Sequence, residues 1–191
     1  MFFSAAVFAQ IDTSIVFLGD IDSTIATDVR YATKNNFTGQ ILYPTDKVYI
    51  RKIVGESLKS AQSYLIKNYN LSIKVFDAYR PLSVQKKMWE IFPNPNYVAD
   101  PSKGSRHNRG AAVDVTLIDS NGNEIDMGTE YDNFTEKAHS DYPNLPEKIK
   151  NDRKILRDTM IKFGFEPIES EWWHFDYNGW NKFSILDIEI N

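Results

Sequence analysis

"SRHNRGAAVDVTLI", residues 105–118, holds the position on which the reading of the whole chain turns. Residues 111–118 read as a buried strand: Ala, Ala, Val, Asp, Val, Thr, Leu, Ile, bounded upstream by Gly110. An ionised carboxylate in such a strand costs several kcal/mol unless it is paired or bound to a cation. Strand parity places Ala112, Asp114 and Thr116 on one face and Val113 and Val115 on the other. Asp114 therefore points away from a valine core, toward a cleft that must supply positive charge. His107 stands seven residues earlier, and Gly110 between them lets the chain turn tightly. A divalent cation held by His107 and Asp114 explains both residues. The competing reading pairs Asp114 with Arg106 or Arg109 and leaves His107 as an unrelated surface residue.

Working outward, Ile50, Ile53, Val54, Leu58, Ala61 and Leu65 recur at three- and four-residue intervals. That spacing predicts a helix from Thr45 or Asp46 to about Tyr69. "LSIKVFD", residues 71–77, alternates as a strand that Arg80-Pro81 ends, and a second helix is expected over about 83–92. "SNGN", residues 120–123, suits a hairpin turn into Glu124-Ile125. A third helix opens at Asn144-Leu145-Pro146 and stops at Gly164, with Ile149, Leu156, Met160 and Phe163 inward. "EWWHFDY", residues 171–177, is the last strong strand. The expected fold is a single α+β domain, an antiparallel β-sheet flanked by helices.

The 191 residues are 42% hydrophobic, sufficient for one core, and carry a net charge of -4. That balance, without a basic block, argues against nucleic acid as a partner. No 18-residue apolar run predicts a membrane span. Cysteine is absent, which excludes thiolate metal sites and leaves His, Asp and Glu as the strong ligands. The apolar start, residues 1–9, ends in a small-x-small pattern and reads as a signal-peptide remnant ahead of a catalytic domain over 10–191. Its basic end is missing, so an N-terminal strand or tail is the alternative. The localisation expected is export, periplasmic or secreted, and cytoplasmic if that segment is not a signal.

Two further segments carry chemistry. In "EWWH" the third ligand candidate, His174, follows two tryptophans. A lone histidine beside Trp is more often a core residue, but only three histidines exist here, and two lie in motifs that pair His with a carboxylate. His107, Asp114 and His174 make a three-ligand zinc site with one position open to water, the catalytic pattern. Glu171 cannot share a strand face with His174, so it belongs at a kink or bulge ahead of the strand. There it can act as general base on zinc-bound water and as acid to the leaving amine. In "VFDAYRP", Asp77, Tyr79 and Arg80 sit where a strand ends, and Arg80 can stabilise an oxyanion. A weak surface ion pair between Asp77 and Arg80 is the bland reading.

Assembled, "DVRYATKNNFTG", "VFDAYRP", "SRHNRGAAVDVTL", "DMGTEYDNF" and "GFEPIESEWWHF" make residues 28–177 resemble the VanX-type D-alanyl-D-alanine dipeptidases. These belong to the wider group of D,D-carboxypeptidase-like zinc metallopeptidases. The His-to-Asp spacing and the E-x-W-H ending point to the wider group, and "RYAT..NFTG" with "EWWH" to the dipeptidase branch. The resemblance implies one zinc ion per chain on His107, Asp114 and His174, Glu171 as general base and Arg80 as transition-state stabiliser. It implies hydrolysis of a small D,D-dipeptide, D-Ala-D-Ala, in peptidoglycan precursor or turnover metabolism. Tyr31, Ser105 and Asp132 would touch that dipeptide, Asp132 gripping its ammonium, and Asp77 is counted with them. His139 matches a family histidine that is not a ligand. The stretch before His107 is shorter than in the resistance enzymes, which bears on how strictly dipeptides are selected. The alternatives are a D,D- or L,D-carboxypeptidase acting on longer muropeptides, and a non-catalytic zinc-containing wall-binding domain.

Overall fold

Among the residues that the computed structural model describes, 13–95 and 97–191, seven strands and four helices follow one another, joined by short 3-10 turns. Segment 1–9, expected to be a signal remnant, lies outside the described residues. In chain order they are β1 (Ile15–Phe17), α1 (Leu18–Ile21), β2 (Ala26–Thr27), β3 (Tyr49–Arg51), α2 (Lys52–Tyr69) and β4 (Ser72–Asp77). Then come α3 (Leu82–Ile91), β5 (Ala112–Ile118), α4 (Glu147–Lys162), β6 (Phe165–Pro167) and β7 (His174–Tyr177).

Five strands form the main sheet in the order β2-β4-β5-β7-β6. The pairs β4-β5, β5-β7 and β7-β6 are antiparallel, as expected. The edge pair β2-β4 is parallel, so the sheet is mixed rather than purely antiparallel. A two-residue strand left no alternation from which to read it. A separate two-stranded sheet joins β1 to β3. It also corrects the start of the long helix. Tyr49 and Ile50 suit an extended chain and pair with Phe17 and Val16, so α2 begins only at Lys52. The helix ends in a left-handed cap at Asn70, φ 53°.

Helices α2 and α4 pack on each other, with α2 against β4 and α4 against β6. Leu58 and Leu65 of α2, Leu156 and Met160 of α4, and Val113, Val115 and Leu117 of β5 share one buried cluster. Burying each such side chain contributes about 1.5–3 kcal/mol. Every residue of β5 is buried, so both of its faces are covered. The valine face meets the helices, and the face of Asp114 meets the loops that build the site. The 120–123 turn forms, but its return leg makes a single bridge, Ile118 to Glu124, rather than a second strand.

Candidate metal centre and catalytic cleft

The centre is laid out across three neighbouring strands. In the antiparallel register Asp77 of β4 opposes Asp114 of β5, which opposes His174 of β7. Opposed residues in such a ladder point to the same face. A bulge at Phe76 shifts β4 by one residue and brings Asp77 into this row. His107 arrives from outside the sheet, on a 3-10 turn closed by Gly110 at φ 62°. A side chain there would be strained, and its Cβ would come within 2.7 Å of Ile15 Cδ1. The turn is bound to the exit of β4: the Arg80 amide donates to the His107 carbonyl at 3.1 Å, and Asn108 Nδ2 to the Arg80 carbonyl at 2.8 Å.

His107, Asp114 and His174 form the one group of metal-ligand type found among the described residues. His107 Nε2 lies 3.2 Å from His174 Nδ1 and 3.3 Å from Asp114 Oδ1, and His174 Nδ1 lies 2.9 Å from the same oxygen. Ligands at about 2.1 Å around a tetrahedral ion stand roughly 3.4 Å apart. The triangle thus has nearly the size of one tetrahedral face.

The outer ring nitrogens orient both imidazoles. His107 Nδ1 donates to the Ala78 carbonyl at 2.7 Å, and His174 Nε2 to Asp176 Oδ1 at 2.9 Å. Each ring therefore turns its other nitrogen inward, the arrangement that ligating histidines share. Without a cation the cluster takes up a proton instead. Burial opposes charge on His174, but its bonds to Asp114 and Asp176 outweigh burial and lift it to about 10. Asp114 is held well below the usual carboxylate range, because the two histidines outweigh its burial. Both shifts express one demand for positive charge at this point, and the residues fit a divalent ion. Neither Arg106 nor Arg109 meets that demand: Arg106 pairs with Asp176 at 3.3 Å, and Arg109 donates to the Phe183 carbonyl.

A cleft of about 190 Å³ opens on the triangle, lined by Tyr31, Arg80, Ser105, Asp132 and Glu171 as well as the three candidate ligands. Eight of the nine residues singled out in the sequence thus share one wall. Asp77 does not. It is 1% exposed and sits behind Arg80, accepting from Arg80 Nε at 3.0 Å and Nη2 at 2.6 Å. Its other oxygen accepts from Tyr43 Oη at 2.7 Å and the Ala78 amide at 2.9 Å. The expected substrate contact of Asp77 is therefore replaced by support of Arg80, and the ion pair is buried rather than superficial. Gln85 Oε1 holds Arg80 Nη1 at 2.9 Å, so three of the five guanidinium N–H donors are engaged and two remain for the cleft.

Glu171 precedes the Trp172-Trp173 turn that leads into β7, so the expected kink is a turn rather than a bulge. Its Oε2 stands 3.9 Å from His174 Nδ1. Burial pushes the Glu171 carboxyl above its ordinary value against the pull of His174. Burial, with the negative Asp114 beside it, pushes Asp132 up to about 8. His139 is half-buried and lies in a small neighbouring cavity that Glu171 also lines, away from the ligand triangle. Phe37, Tyr97 and Phe134 line one part of the cleft. Phe92, Tyr97 and Phe134 stack on one another, with Tyr97 and Phe134 centroids 4.4 Å apart, and Phe37 meets Phe92 and Phe134 edge-on.

Three functional neighbours were not singled out in the sequence. Asp176 was within reach of parity, two residues from His174 on the same strand face. Tyr43 comes from a distant loop with no local signal, and Tyr131 lies in "DMGTEYDNF", a motif in which nothing marks this hydroxyl as a partner of Asp114.

Comparison with known proteins places the chain in a family. Residues 12–183 match the peptidase family described as D-Ala-D-Ala dipeptidase. The D-alanyl-D-alanine dipeptidase of Escherichia coli is 35% identical over 164 residues, 86% of this chain and 84% of that protein. The enzyme of the same name from Enterococcus faecium is 30% identical over 189 residues, 86% of this chain and 91% of that one. Among solved structures, VanYB in complex with D-alanine-D-alanine is 16% identical, covering 73% of this chain and 77% of its own, with a TM-score of 0.47.

Proposed function

This chain belongs to the D-Ala-D-Ala dipeptidase family of peptidases, and from that footing we propose that it hydrolyses D-Ala-D-Ala to two D-alanines with zinc at His107, Asp114 and His174. One observation carries the reading: the 3.2, 3.3 and 2.9 Å triangle of inward-facing nitrogens and oxygen, with Glu171 and Arg80 on the same cleft wall. When bound, zinc supplies a Lewis acid beside the scissile carbonyl and lowers the pKa of nearby water.

The chain's own residues do the rest. Glu171 takes the proton from the water whose oxygen attacks the peptide carbonyl carbon. A carbon–oxygen bond forms, the carbon–nitrogen bond breaks, and Glu171 returns that proton to the departing amine. A base works best when its pKa lies near the working pH, and burial moves Glu171 in that direction. Arg80 lines the cleft, and its two unengaged N–H groups are the donors it can offer to the carbonyl oxygen as that oxygen gathers negative charge. Asp132, with Tyr31 Oη 3.3 Å from both of its oxygens, meets the ammonium end of the dipeptide. Ser105 Oγ accepts the Asn108 amide at 3.2 Å and offers its proton to the cleft. Tyr97 and Phe134, stacked on each other, line the same cleft as Asp132 and Glu171.

Removal of zinc by a chelator is expected to abolish release of D-alanine from D-Ala-D-Ala, and added zinc to restore it. N-acylated D-Ala-D-Ala is expected to be a poor substrate. Full activity in the chelator would overturn the metal reading, and preferred cleavage of the acylated substrate would favour the carboxypeptidase alternative.

Asp132 gives a pH signature. An ammonium needs the carboxylate form, so 1/KM is expected to rise with pH as Asp132 ionises. A cation on the triangle lowers its value, which puts this limb below pH 8, ahead of the substrate's own amine at about 8. Asp132→Asn is expected to raise KM by about 10-fold or more and to flatten the limb. An unchanged KM profile in that variant would assign the ammonium to another group.

A further inference from the structure

Tyr131 belongs to no strand or helix, yet its ring is fixed between Phe76, 4.8 Å away, and Trp173, 5.4 Å away by centroids. Its hydroxyl donates to Asp114 Oδ2 at 2.9 Å. The same hydroxyl lies 3.3 Å from Tyr31 Oη, which reaches Asp132. The two oxygens of Asp114 are therefore unequal. Oδ1 faces both imidazoles, while Oδ2 is held on the far side by a phenol that stays protonated at neutral pH. A carboxylate free to rotate can give a cation both oxygens, and the second would fill the position that a three-ligand catalytic site keeps open.

We propose that Tyr131 is a positioning residue of the metal centre: by holding Asp114 Oδ2 it limits that carboxylate to one ligand oxygen and keeps the cleft side of the ion accessible. The inference rests on the metal reading above and concerns a residue that touches neither ion nor dipeptide. Outer hydrogen bonds of this kind are commonly worth 10–100-fold in metal affinity.

The test is Tyr131→Phe, which keeps the ring between Phe76 and Trp173 and deletes only the hydroxyl. Zinc and cobalt are titrated against a chromophoric chelator into metal-free protein, and the cobalt absorption is recorded. Zinc binding is expected to weaken 10–100-fold, with a weaker visible cobalt band of the kind that higher coordination brings. Equal affinity and an unchanged cobalt spectrum would reduce Tyr131 to a packing residue. If the variant does not fold, zinc-edge X-ray absorption of the unaltered protein decides. One Asp114 oxygen in the zinc shell is expected, and two would overturn the proposal. Unaltered protein that binds neither ion would refute the metal reading itself, and the role of Tyr131 with it.

Discussion

Glu171→Gln is expected to lower kcat on D-Ala-D-Ala by about 10²–10⁴-fold while metal content stays at that of the unaltered protein. Glutamine keeps the size of the side chain and can still accept a hydrogen bond, but it cannot take and return a proton. Glu171 Oε2 is 3.9 Å from His174 Nδ1, close to the ligand triangle yet outside it, so the ion should not depend on it. The substitution therefore separates chemistry from metal binding. Metal per chain by elemental analysis and D-alanine release under saturating substrate measure both halves. A kcat within about threefold of the unaltered enzyme would remove Glu171 from the reaction, and loss of metal would make it a ligand.

The second large effect is on stability. Asp77→Ala is expected to destabilise the metal-free protein by about 3–5 kcal/mol, because it leaves the Arg80 charge buried without a partner. Arg80 is 8% exposed, and its Nε and Nη2 both donate to the Asp77 carboxylate. Tyr43 Oη and the Ala78 amide lose their acceptor as well. Water cannot replace these bonds without entering the core. Lys154 and Asp158 make the control pair, since their side chains are 62% and 48% exposed on α4. Breaking that pair is expected to cost no more than about 1 kcal/mol. For a chain of this length the Asp77 change corresponds to a fall in Tm of roughly 10 °C. Calorimetry on both variants checks the contrast, and equal small effects would mean that Arg80 is held by something else.

Where sequence and structure agree, the reason is periodicity. Val54, Leu58, Ala61 and Leu65 recur at helical spacing and are all fully buried on α2. Parity along β5 put Asp114 on the face opposite Val113 and Val115, and that face carries the cleft. The three ligand candidates were legible because the chain has only three histidines, two of them in motifs with a carboxylate. What stayed hidden depends on partners that no spacing announces. Residues 49–51 belong to a strand because Ile15–Phe17 lies beside them, a pairing between distant segments. Asp77 is expected to reach the cleft, and the bulge at Phe76 does bring it into the row of Asp114. Its bonds to Arg80 and the distant Tyr43 hold it behind Arg80 instead. Tyr131 reaches Asp114 from a loop in which nothing local marks its hydroxyl.

Anomalous diffraction at the zinc edge, on crystals grown with one equivalent of zinc, tests the centre most directly. A single strong peak is expected about 2.0–2.2 Å from His107 Nε2, Asp114 Oδ1 and His174 Nδ1, with its remaining side facing Glu171 and the cleft. No peak at that point under full zinc, or one bonded to other residues, would contradict a metal-dependent peptidase built on these three side chains.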